Sequence, residues 1–104
     1  MLISNSRIAK GDVAAFKLVN GDEIVARIAE VTSTDYVLER PCTVIPSQQG
    51  LGLVQSMFTA DPKNNINISK QHIMMCAPVI EQMVNHYIQT TTGIQPVTKG
   101  GIIT

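Results

Sequence analysis

His72 and Cys76 stand four residues apart, a spacing that on a helix would turn both side chains toward one metal ion. The residues around them, Ile73-Met74-Met75-Cys76-Ala77, read instead as a strand, where an i, i+4 pair lies roughly 13 Å apart, too far to share an ion. No metal site is expected. Catalytic chemistry is equally thin. There is no Ser/His/Asp arrangement with an elbow, no glycine-rich phosphate loop opening a helix, and no paired-carboxylate motif. Asp22-Glu23 and Asp35 sit at turns and are explained more simply as solvated caps. A protein that is not an enzyme and carries no cofactor is the expectation. Cys42 and Cys76 form no Cys-x-x-Cys, and their apolar neighbours favour buried free thiols over a disulfide. Asn67-Ile68-Ser69 matches a glycosylation sequon, which matters only to a secreted chain. Met57, Met74, Met75 and Met83 read as adaptable core or interface.

The elements that carry these residues must fit in 104 residues, which suits one compact domain. Eight Lys plus Arg balance eight Asp plus Glu, so no basic excess announces a nucleic acid or an anionic membrane, and any such contact depends on local placement. A content of 44% hydrophobic and 15% charged residues is the reverse of a disordered composition. No run approaches the eighteen or so apolar residues of a membrane span, so a soluble protein is expected. Met1-Leu2-Ile3 is followed by Ser4-Asn5-Ser6-Arg7 rather than by a long apolar core and a cleavage site, which reads against a secretory signal and predicts a cytoplasmic protein.

Residues 12–78 carry strands. Phe16 and Leu18 alternate with Lys17 and Val19, and Ile24, Ala26 and Ile28 alternate with Val25, Arg27 and Ala29. Asn20-Gly21 between them supplies the positive φ angles of a tight hairpin. After the polar turn Thr32–Asp35, a third strand starts at Tyr36 and continues to Ile45, with Pro41 bending it without ending it. Leu51 to Phe58 reads as a fourth strand, Ile66 and Ile68 resume the pattern, and Ile73 to Ala77 closes the set, for a count of five. Beyond Pro78, Val79, Ile80, Met83, Val84 and Tyr87 follow helical spacing, giving an amphipathic helix over 79–89 able to pack on a sheet or across a subunit boundary. Residues 1–11 form an N-terminal extension and 90–104 a tail.

Such a chain fits a mainly β fold, a strongly bent five-stranded antiparallel sheet or small, partly open barrel with a C-terminal helix. The fourth and last strands carry no charge to blunt an exposed edge. Pairing one with the other between subunits removes that liability, and head-to-tail repetition closes a ring when the rotation divides a full turn. Val54, Met57, Phe58, Ile73 and Met75 are the expected contact residues of this homo-oligomer.

The run Phe16-Lys17-Leu18-Val19-Asn20-Gly21-Asp22-Glu23-Ile24-Val25-Ala26-Arg27-Ile28 resembles the first half of the Sm motif, apolar-x-Leu-x-Asn-Gly followed by alternating apolar positions. Tyr36-Val37-Leu38-Glu39 stands where that motif places its third strand, and Lys70-Gln71-His72 before an apolar strand and Pro78 is similar to the ending of the Hfq branch. The resemblance covers residues 12–78 and implies an Sm-like fold, subunits joined by fourth-to-fifth strand pairing, and RNA bound around a ring pore. Departures are specific. The usual second-strand glycine is Ala26, the Asp before the third strand falls on Thr32, and the base-contacting Asn falls on Tyr36. Ile68-Ser69-Lys70 stands nearest to the absent Ile-Arg-Gly, the insertion around Asp61–Asn65 is long, and the helix follows the sheet rather than preceding it.

In that arrangement Thr32–Tyr36, with Asp35, and Ser69–His72 approach each other near the pore. The resemblance then implies Tyr36 for base stacking, Lys70 for phosphate, and Gln71 and His72 for base edges or backbone of single-stranded RNA. One Lys per subunit becomes a cationic ring despite zero net charge per chain. Against this, Tyr36 also fits as sheet filler, Lys70 as a solvated turn residue and His72 as a strand-start residue. Arg27 and Arg40 offer a second basic surface or are merely solvated. The rival function is a structural or protein-interaction module of the same shape, contacting a protein partner through helix and tail.

Overall fold

The computed structural model describes residues 8–92. It contains six strands and a C-terminal helix: β1 (Val13–Leu18), β2 (Glu23–Val31), β3 (Asp35–Ser47), β4 (Gly50–Gln55), β5 (Ile66–Ser69), β6 (Ile73–Pro78) and α1 (Glu81–Thr92), with a 3-10 turn at Lys70–His72. The strands form one antiparallel sheet in the order β4-β3-β2-β1-β6, with β5 also pairing with β3. The sheet is not closed into a barrel, and its edges lie along β4 and β6.

The β1–β2 hairpin turns where Asn20-Gly21 demands it. Gly21 has φ +98°, its amide donates to the Leu18 carbonyl at 2.9 Å, and the Asp22 amide donates to Asn20 Oδ1 at 2.9 Å. Strict alternation in β1 and β2 then builds two apolar layers, because successive side chains leave opposite faces. Ala14, Phe16, Ile24, Ala26, Ile28 and Leu38 form one core, joined by Tyr36, Ile68 and Ile73. On the other face Val13, Val25 and Cys42 meet Tyr87 of α1, with Leu53, Val79, Met83 and Val84 packed around them.

β3 is the longest strand because it serves two partners. Its first half pairs with β5 (Tyr36 opposite Ile68) and its second half with β4 (Val44 opposite Leu53). Between them the β2–β3 register slips, leaving Arg40 and Pro41 facing Ala26, and Arg40 takes φ +44°. This bulge redirects the strand. Pro41 does not end it, as expected.

Several expectations are corrected. Among the described residues there are six strands, not five, because Asn67 and its neighbours make a separate strand on β3. β4 ends at Gln55, so Met57 and Phe58 lie in the following loop, where Gln55 Nε2 donates to the Met57 carbonyl at 3.3 Å. The helix occupies 81–92 rather than 79–89: Thr91 and Thr92 hydroxyls donate back to the Tyr87 and Ile88 carbonyls at 2.8 Å and keep the last turn helical. Ile80 precedes the helix and is exposed. Cys42 is buried as expected, but Cys76 is exposed, and both are free. The rest of the expected tail, 93–104, and residues 1–7 of the extension lie outside the described residues.

Candidate nucleic-acid interface

Three loops meet at one end of the sheet. Thr32 ties the turn before β3, its Oγ1 accepting from the Asp35 amide at 2.9 Å while its own amide donates to the Asp35 carbonyl at 2.9 Å. Ser69 caps the 3-10 turn by accepting from the Gln71 amide at 3.2 Å. Lys70 N–H donates to the Thr34 carbonyl at 2.8 Å, and Val19 N–H donates to the His72 carbonyl at 2.9 Å. These two bonds lock the Lys70–His72 turn against both the Thr32–Asp35 turn and the β1–β2 hairpin.

Tyr36 stands at the centre. Its ring is tilted 56° against the fully buried Phe16, centroids 5.1 Å apart, and Lys70 Nζ lies 5.3 Å from the Tyr36 ring centre. The phenol hydroxyl is 3.9 Å from Cys76 Sγ. Burial, then the contact with Cys76, holds the phenol above its ordinary pKa. Asp35 Oδ2 accepts from Asn67 Nδ2 at 3.3 Å. Gln71 and His72 are exposed.

All five residues assigned to this site, Asp35, Tyr36, Lys70, Gln71 and His72, therefore fall on adjoining segments. The assembly residues divide. Val54 on β4, Met75 on β6, and Met57 and Phe58 in the loop are exposed, whereas Ile73 is half-buried against the chain's own core. Arg27 and Arg40 are both half-buried. Arg27 Nη1 donates to the Gly11 carbonyl at 2.9 Å, and Arg40 Nε is buried without a partner. Sequence reasoning missed Phe16, Cys76 and Asn67 as the groups that seat Tyr36 and Asp35. Parity within β1 placed Phe16 on a buried face, but which loop it supports depends on pairings far apart in the chain.

Among the described residues no three His, Cys, Asp or Glu side chains gather to hold a metal, and no helix is long and apolar enough to cross a membrane. The gathered groups supply one aromatic face, one cation and several hydrogen-bonding side chains, a set suited to binding a base and a phosphate. No protein-family model matches the sequence, and no curated protein aligns with it significantly.

Proposed function

We propose that the chain is an Sm-like protein that binds single-stranded RNA and acts as a homo-oligomeric ring, with the loops around Tyr36 facing the pore. The observation that carries this reading is the convergence of Lys70 on Tyr36, two residues far apart in sequence that the resemblance assigns to one RNA site. The Leu-x-Asn-Gly hairpin, the bend in β3 and two uncharged free edges support the same reading. Stacking supplies affinity that tolerates any base, and a ring of lysines supplies phosphate attraction that one neutral chain lacks.

Fluorescence anisotropy with short U-rich and A-rich RNAs across a salt series tests it. The expected result is binding that weakens as salt rises, since phosphate contacts release counterions. The alternative is an interaction module without RNA binding. It draws support from the packing of Tyr36 against Phe16 and from Phe58, which is 78% exposed in the loop after β4. Absence of binding at low salt would favour that alternative.

A further inference from the structure

The chain has four aromatic residues, two Phe and two Tyr. Three of them pack inward: Phe16 and Tyr87 are buried, and Tyr36 is half-buried against Phe16. Phe58 is 78% exposed, beside Met57 at 48%. A depression of about 270 Å³ opens next to them, with Ile24 and Leu38 of the core, Ile66 and Ile68 of β5, and Met57 among its walls. A cavity of about 150 Å³ already admits a benzene molecule, so the opening is large enough for a phenyl ring.

The loop that carries Phe58, residues 56–65, is held at its two ends. Ser56 N–H donates to the Pro41 carbonyl at 2.9 Å and its hydroxyl meets Thr43 Oγ1 at 2.9 Å, while at the far end Asp61 Oδ1 accepts from the Lys63 amide at 3.0 Å. The side of the loop toward Arg40 and Pro41 is already packed, since Ala60 and Pro62 are half-buried there around a crevice of only about 10 Å³. The open space lies on the other side of Met57, which borders both hollows. Phe58 Cα stands about 3.8 Å from that of Met57, so a change of backbone dihedrals at these two residues brings the ring over the depression while the anchors stay in place.

We propose that residues 57–60 form a strap with two positions, the open one just described and a closed one in which the Phe58 ring is seated against Ile24, Leu38 and Ile68. Closure takes the exposed ring and the apolar walls out of water together, and that is its driving force. Asp22, at the rim of the depression, is exposed and keeps its hydration. The closed strap withdraws from the surface the largest apolar group that the loop offers in the open position. This device is independent of the RNA reading.

The chain contains no Trp, so Phe58→Trp supplies a single fluorescent reporter of the strap. Acrylamide should quench its indole about twofold or more less than that of Val19→Trp, a 57% exposed hairpin position, as a strap closed in half of the molecules or more requires. The protection should be the same at every protein concentration. Adding Asp22→Phe, whose ring competes for the same depression, should return quenching to the Val19→Trp level. All three substituted positions are exposed, so the core is left intact. Equal quenching in the two single variants overturns the proposal, and so does protection that Asp22→Phe leaves unchanged. Protection that appears only as concentration rises shows a second copy covering Phe58 and overturns it as well.

Discussion

The ammonium group of Lys70 lies 5.3 Å from the centre of the Tyr36 ring, over an aromatic face that Phe16 supports from the core at 5.1 Å. The pair couples the two halves of the proposed RNA site. A base that stacks on Tyr36 must share the ring's surroundings with the Lys70 cation, which is free to follow a phosphate because its stem is flexible.

Two substitutions separate these contributions. Tyr36→Leu keeps apolar volume against Phe16 and removes the stacking face, and should cost about 1–3 kcal/mol of RNA affinity per base engaged. Lys70→Ala should weaken binding and lower the slope of log affinity against log salt by about 0.7 for each phosphate that the lysine neutralises. Titration across salt, with thermal melting of the same variants, checks both. Unchanged affinity in two folded multimers would refute the site.

The hairpin was legible because Asn20-Gly21 has a local conformational cause, and so were the two faces of β1 and β2, which parity dictates. The end of β4 was not. Met57 and Phe58 continue the apolar run in sequence, but β3 changes partners at the Arg40 bulge, and the register there depends on long-range pairing. The convergence of Asp35, Tyr36, Lys70, Gln71 and His72 followed from the family resemblance, since nothing local in the sequence joins residue 36 to residue 70. The Tyr36–Cys76 and Asp35–Asn67 contacts had no sequence signal at all.

Tyr87 should prove a stability determinant rather than a generic helix residue. Its hydroxyl accepts from Arg27 N–H at 3.2 Å and donates to the Glu39 carbonyl at 2.6 Å, two opposed positions of β2 and β3 beside the bulge. Tyr87→Phe leaves both backbone groups short of a partner and should destabilise the fold by about 1–3 kcal/mol, read as a lower urea midpoint. No loss would mean that α1 is held by apolar packing alone.

Arg40 holds a left-handed backbone, φ +44°, with Nε buried and unpartnered. Arg40→Gly should relieve strain of about 1–2 kcal/mol at the bulge and raise the melting temperature. Arg40→Val, branched at Cβ, should lower it. The opposite order would show that the arginine side chain outweighs its backbone.

Burial pushes the Cys42 thiol up to about 11, with Arg40 pulling weakly the other way. Burial likewise raises the Tyr87 phenol. The folded state therefore holds these protons more tightly than the unfolded one. The contribution of Cys42 is present below the ordinary thiol value of 9.0 and is lost as pH rises toward 11, and that of Tyr87 is present below the ordinary phenol value of 10.0 and is lost above it. Denaturation midpoints should fall across that window. In the native protein a thiol reagent should modify exposed Cys76 rapidly and Cys42 only on unfolding.

Sedimentation velocity of the protein with a labelled single-stranded RNA at low salt tests the central claim most directly. A discrete multimer carrying the RNA is the predicted result. RNA sedimenting free of the protein, or a chain that stays monomeric, would contradict it.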